Sequence, residues 1–215
     1  MKVFISPSQQ TANIGYGTYG SERTRMFEVG RALETILKRC GLIVYVATMG
    51  VSLEVAVAES NNAKADLHIC LHSNALDGNT RGTLALYVSE EGNKLATSIY
   101  NKLSNFTPTN DLGIRKNEKL YELNNTNAIA AYIEIMFHDN KLDASLIMLN
   151  IEAIASLIAR GICEYIKIPF VERTKPLPII KYKVIAGVYT SRENAMKQVM
   201  DLKKEGFESF IQEVK

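Results

Sequence analysis

The sequence predicts an α/β protein: a mostly parallel central sheet with helices on both faces, plus a small carboxyl-terminal α+β unit of strand, helix and strand. Three observations predict it. Between Lys2 and Tyr165, short apolar runs alternate with longer stretches in which apolar residues recur every three to four positions, the pattern of strands joined by helices. One run, Ile129–Phe137, is almost continuously apolar, as in a strand covered on both faces. Pro169, Pro176 and Pro178, with the charges between them, then break the composition before a shorter second pattern begins. With 215 residues and 47% apolar content, the chain can form one core of ordinary size and an appendage.

In chain order, Lys2–Ile5 is a first strand, ended by the polar turn Ser6-Pro7-Ser8-Gln9-Gln10. Ser21-Glu22 opens a helix whose apolar face is Met26, Val29, Leu33, Ile36 or Leu37, and Cys40, and Gly41 closes it. Leu42–Ala47 is a second strand and Val51–Asn62 a second helix, leading to a buried strand that ends at His72-Ser73-Asn74. Gly82–Val88 is a further strand, Glu90–Leu103 a helix, and Asn105–Lys119 a polar segment expected to form a substrate-facing loop. Ile129–Phe137 follows as a strand, and Asp139-Asn140 starts one helix expected to reach about Tyr165. The expected organisation is a core domain over residues 1–166, a linker over 167–181 and the second unit over 182–215. In that unit Tyr182–Tyr189 and Gly206–Ile211 read as strands flanking a helix from Ser191 to Glu205. Alone it would bury too little apolar surface to be stable, so it is expected to pair with something.

Two strand ends carry candidate chemistry. His72 stands at the carboxyl end of its strand, where ligands of open α/β sheets collect, and reads either as a metal ligand or as a hydrogen-bonded polar end. His68 points the same way but lies roughly 13 Å along the strand, too far to share an ion, and reads as a packed strand histidine. Glu134 is a carboxylate inside an apolar strand, where an unpaired charge is costly. It could cap a loop or pair with a buried arginine, but near the end of a central strand a general base beside a metal is the stronger reading. Asn74 and Arg115 lie on segments able to contact a substrate.

Composition narrows the partners. A net charge of +2 gives no basic footprint for nucleic acid. No apolar run approaches the ~20 residues of a membrane span, so no membrane partner is expected. The amino end reads as a strand and lacks the apolar core of a signal peptide, so cytoplasmic synthesis is expected. Cys40, Cys70 and Cys163 are odd in number, lie in apolar surroundings and lack metal-knuckle spacing, as reduced core residues do.

Residues 1–165 resemble the zinc-dependent N-acetylmuramoyl-L-alanine amidases of autolysins and phage lysins, the Amidase_3 group. The resemblance rests on Ser21-Glu22-Arg23 through Gly30-Arg31-Ala32-Leu33, on His72-Ser73-Asn74, and on Glu134-Ile135-Met136-Phe137-His138-Asp139-Asn140, in the family's order. Asn61 through Asp66 and Leu120-Tyr121-Glu122-Leu123 agree more weakly. The resemblance implies zinc held by Glu22 and His72, with Glu134 as general base. Where the family has its first zinc histidine, however, this chain has Gln9. Either Gln9 or Gln10 is the third ligand, or His138 replaces it, or the site is degenerate. A glutamine carbonyl is a poorer donor than imidazole, so metal affinity should fall.

The implied reaction is cleavage of the amide between N-acetylmuramic acid and L-alanine of peptidoglycan. The alternative is a catalytically degenerate peptidoglycan-binding protein. Tyr182-Lys183-Val184, Gly187-Val188-Tyr189, Asn194-Ala195, Leu202 and Gly206-Phe207 are similar to half of a SPOR peptidoglycan-binding domain. That similarity implies a homodimer in which two chains each contribute a half. Release to the wall through a holin or by lysis would follow from the absence of a leader.

Overall fold

The amino-terminal strand, β1 (Lys2–Pro7), lies inside the sheet, flanked by β2 (Ile43–Val46) and β3 (Leu67–Asn74), both parallel to it. Beyond β3 come β6 (Ile129–Phe137), β4 (Leu84–Tyr87) and β5 (Gly113–Lys116), giving the order β2-β1-β3-β6-β4-β5. The computed structural model describes residues 1–106, 112–173 and 185–213. They fall into two compact units, Met1–Glu172 and Arg173–Lys215.

In the first unit the helices α1 (Glu22–Arg39), α2 (Leu53–Ala63), α3 (Glu90–Leu103), α4 (Tyr121–Asn125), α5 (Lys141–Leu149) and α6 (Ile151–Tyr165) cover the sheet. The main core joins the strand residues Val3, Ile5, Leu67, Ile69, Leu71 and Ile133 to the helix residues Met26, Leu33, Leu95, Ile99, Ile154 and Ile158. Ser21 caps α1 by accepting the Thr24 N–H, and acidic Glu22 with basic Lys38 and Arg39 match the helix dipole. Gly30 lets α1 lie directly on β1, since a Cβ there would stand 2.9 Å from Pro7 Cγ. This close approach carries Glu22 to the carboxyl end of the sheet.

Four details depart from the sequence expectation. The strand β4 runs antiparallel to β6, so the sheet is mixed although mostly parallel. Part of the polar segment expected to form a substrate-facing loop is the edge strand β5, whose backbone pairs with β4 without an apolar alternation to announce it; residues 107–111 of that segment lie outside the described residues. The single helix expected up to Tyr165 is two, bent by 82°. Asn150 leaves helical geometry there, at φ −133 and ψ 29, and closes α5 while opening α6. Apolar periodicity continues through the bend, which hides it in the sequence. At the expected linker, Ile168 and Phe170 pack on the core of the first unit and Arg160 lies over the Phe170 ring at 4.1 Å.

The second unit contains α7 (Arg192–Lys204), capped by Ser191. The expected strands are absent from residues 185–189 and 206–211, and residues 182–184 lie outside the described residues. The helix buries none of its residues, and Phe207 and Phe210 are exposed. Short strands need a sheet partner and an apolar surface to cover. Among the described residues no single helix is long and apolar enough to cross a membrane.

Candidate active site

The parallel pairing of β3 with β6 sets His72 opposite Glu134 at the carboxyl end of the sheet, just before the register shifts between His72 and Asn74. The first residue of α1 meets them. Glu22 Oε1 lies 2.9 Å from His72 Nδ1 and accepts the Ser73 N–H at 3.2 Å. Its Oε2 accepts from Asn13 Nδ2 at 2.7 Å, and the same amide group reaches Gln10 Oε1 at 2.7 Å. Tyr132 stacks on the imidazole with ring centroids 4.2 Å apart.

Behind His72 lies a closed polar cluster. Its Nε2 faces Glu122 Oε2 at 3.8 Å, beyond hydrogen-bond length. Glu122 Oε1 accepts from Ser6 Oγ at 2.5 Å and sits 3.3 Å from His68 Nε2. His68 Nδ1 in turn pairs with Ser60 Oγ at 2.9 Å, and its ring stacks on Phe4. Ser6, Ser60, His68 and Glu122 are all buried.

These surroundings set the charges. Burial pulls the His72 pKa down, but the facing carboxylate of Glu122, the hydrogen bond to Glu22 and the charge of Glu134 outweigh it and raise the value to about 9. Burial would raise Glu122, yet His68 and His72 hold it well below the usual carboxylate range. Glu22 is likewise lowered, burial being overcome by His72, Asn13 and the Ser73 N–H. Glu134 behaves oppositely: burial, with a contribution from Glu22, pushes it up to about 7 against the opposing charge of His72.

Of the expected site residues, Glu22, His72 and Glu134 come together. Gln9 does not join them through its amide, because Nε2 donates to Thr48 O at 3.0 Å and Oε1 accepts the Gly50 N–H at 2.8 Å. Gln10 reaches Glu22 through Asn13. His138 is buried, with Nδ1 2.9 Å from both Ser73 oxygens and its ring stacked on Tyr19. Asn74 Oδ1 accepts the Ala75 N–H at 2.9 Å, and Arg115 is exposed on the edge strand β5. Glu122 was not singled out from the sequence. Its signal was there: a carboxylate between Leu120 and Leu123 needs a partner, just as Glu134 does.

Two groups of donors bear on a metal. His68, Cys70 and Glu122 bring ligand atoms within 4.8 Å of one another and could hold an ion. Their His and Glu atoms, however, are already hydrogen-bonded to each other and to Ser6 and Ser60. Around His72, by contrast, Glu134 Oε2 is buried without a hydrogen-bond partner, and the charges of His72 and Glu22 act on that carboxyl. Imidazole and carboxylate are ordinary zinc donors, and unsatisfied buried atoms beside ionised carboxylates fit a cation.

The chain matches Amidase_3, N-acetylmuramoyl-L-alanine amidase, over residues 3–164. It belongs to the Amidase_3 family. This family is zinc-dependent, in keeping with the donor set around His72. The Amidase_3 domain has the fold of the catalytic domain of CwlV, an N-acetylmuramoyl-L-alanine amidase from Bacillus (Paenibacillus) polymyxa var. colistinus, at TM-score 0.72 and 21% identity, covering 78% of this chain and 99% of that one. It is also similar to the catalytic domain of the CD27L endolysin targeting Clostridia difficile, at TM-score 0.67 and 26% identity, covering 76% and 97%. An uncharacterized 38.4 kDa protein of Clostridium perfringens is 34% identical over 118 residues, 52% of this chain; the match spans 34% of that relative's length.

Proposed function

We propose that the Amidase_3 domain hydrolyses the amide between N-acetylmuramic acid and L-alanine in peptidoglycan, with Glu22 and His72 holding zinc and Glu134 as general base. The observation that carries this reading is Glu134 itself, raised to about 7, with a buried unpaired oxygen, across the strand pair from His72. A base near neutrality can take a proton and return it. Zinc, when bound, supplies Lewis acidity toward a water and the scissile carbonyl. Glu134 accepts the water proton and then delivers it to the departing alanine amine. Glu22, fixed by Ser73 and Asn13, and Tyr132, stacked on the ring, keep the His72 imidazole from turning. Asn74 and Arg115 are retained as substrate contacts only through their segments, and Gln9 as a third donor only if loop 48–50 releases its amide.

In this reading the second unit supports wall attachment by the pairing of two chains, which would cover its exposed Phe207 and Phe210. Mass spectrometry of digested sacculi tests the reaction: stem peptides with a free L-alanine amino terminus beside peptide-free glycan are expected. Products cut within the peptide or within the glycan would contradict it. One observation favours a binding module without turnover, the engagement of the Gln9 amide by loop 48–50, and purified protein carrying no zinc would support that reading.

A further inference from the structure

We propose that Glu122 is a positioning residue, holding the Nε2–H of His72 from the buried side so that Nδ1 faces the zinc donors. The inference rests on the zinc amidase reading above and concerns the second ring nitrogen of that imidazole. The two edges of the His72 ring meet different surroundings. On the Nδ1 edge stands Glu22, bonded to half-buried Asn13, which leads to exposed Gln10. On the Nε2 edge stands Glu122, enclosed by the buried residues Ser6, His68, Cys70 and Tyr132. The first edge leads through Asn13 and Gln10 toward the surface, and the second is enclosed.

Glu122 is built to aim one oxygen. Its Oε1 is held by Ser6 Oγ and His68 Nε2, leaving Oε2 toward His72 Nε2 at 3.8 Å. The short helix α4 that carries it is anchored to α2, where Asn61 Nδ2 donates to Asn125 O at 3.0 Å and Asn61 Oδ1 accepts the Asn127 N–H at 2.8 Å. The Nε2 atom is buried and has no hydrogen-bond partner, so closure of that gap satisfies it. A metal-binding histidine commonly donates its other ring N–H to a carboxylate, which fixes the tautomer and raises ligand basicity. In a chain whose family histidine is replaced by Gln9, that support falls on the remaining imidazole ligand.

The test is ring-nitrogen NMR of 15N-histidine-labelled protein loaded with zinc, feasible with 3 histidines in the chain. Zinc affinity is measured by chelator competition in parallel. The expected spectrum shows His72 protonated at Nε2 and not at Nδ1, and Glu122→Gln weakens zinc by about 10–100-fold. Ser60→Ala removes a partner of His68 from the same buried cluster and leaves zinc affinity unchanged. The opposite tautomer, or unchanged affinity in Glu122→Gln, overturns the proposal. If Glu122→Gln does not fold, the wild-type tautomer decides by itself. Wild-type protein that binds no zinc overturns the amidase reading together with this one, whereas zinc binding indifferent to Glu122 overturns this one alone.

Discussion

His68 and His72 sit four residues apart on one strand, both buried and both beside Glu122, yet their surroundings differ in one respect. Each ring nitrogen of His68 has a protein partner, Ser60 on one side and Glu122 on the other. At His72 the Nε2 atom has none, and the Glu134 oxygen across the strand pair has none either. A satisfied buried histidine is architecture, because nothing further can bind it without breaking a bond. At His72 the Nδ1 edge facing Glu22, with the unpartnered Glu134 oxygen across the strand pair, is a place for a cation and its chemistry. The difference arises from position: His68 lies mid-strand under α2 and α4, whereas His72 lies where β3 ends and α1 delivers Glu22.

The sharpest way to break this contrast is at Glu134. Glu134→Gln should lower turnover on peptidoglycan by about 10²–10⁴-fold, the scale of a general base, while zinc stoichiometry measured by atomic emission is unchanged. Loss of zinc together with turnover would instead make Glu134 a ligand. At the other end, His68→Leu leaves Ser60 and one face of Glu122 without their partner. It should cost about 1–3 kcal/mol in chemical denaturation. A stability-neutral His68→Leu would show that the cluster is not architecture.

The contrast also predicts a pH dependence of the metal-free protein. Glu134 is raised from its ordinary 4.5 to about 7, so the stability it contributes is present below pH 4.5 and lost as pH rises through 7. His72 is raised from 6.5 to about 9, so its contribution is present below pH 6.5 and lost as pH rises through 9. Together they make chelated protein less stable on going from about pH 5 to 9, and Glu134→Gln should flatten the lower half of that fall. A stability that increases over this range would contradict both assignments. The smallest effect belongs to Gln9. With both ends of its amide on loop 48–50, Gln9→Ala should cost about 0.5–1.5 kcal/mol and leave zinc affinity as it was. A large loss of zinc affinity would return Gln9 to the ligand set.

Much of this was legible beforehand, for physical reasons. The alternation of apolar runs with helical periodicity gave the layered α/β sheet, and strand ends marked His72 and Glu134. The serine before Glu22 announced the helix that positions it. What stayed hidden depends on contacts distant in sequence. Glu122 is 54 residues from His68 and 116 from Ser6, so its partners could not be read locally. The strand β5 is held by backbone pairing at an edge, which leaves little mark on the side chains. At Asn150 the apolar pattern runs straight through an 82° bend. In the second unit the residue pattern suggested strands, but within the described residues no sheet forms to hold them.

The most direct test of the account is release of new alanine amino termini from purified peptidoglycan by the protein as isolated, after chelation, and after zinc is restored. The account predicts release that chelation abolishes and zinc brings back. Absence of release in all three conditions, with binding to the wall retained, would contradict it and leave a wall-binding module on an amidase fold.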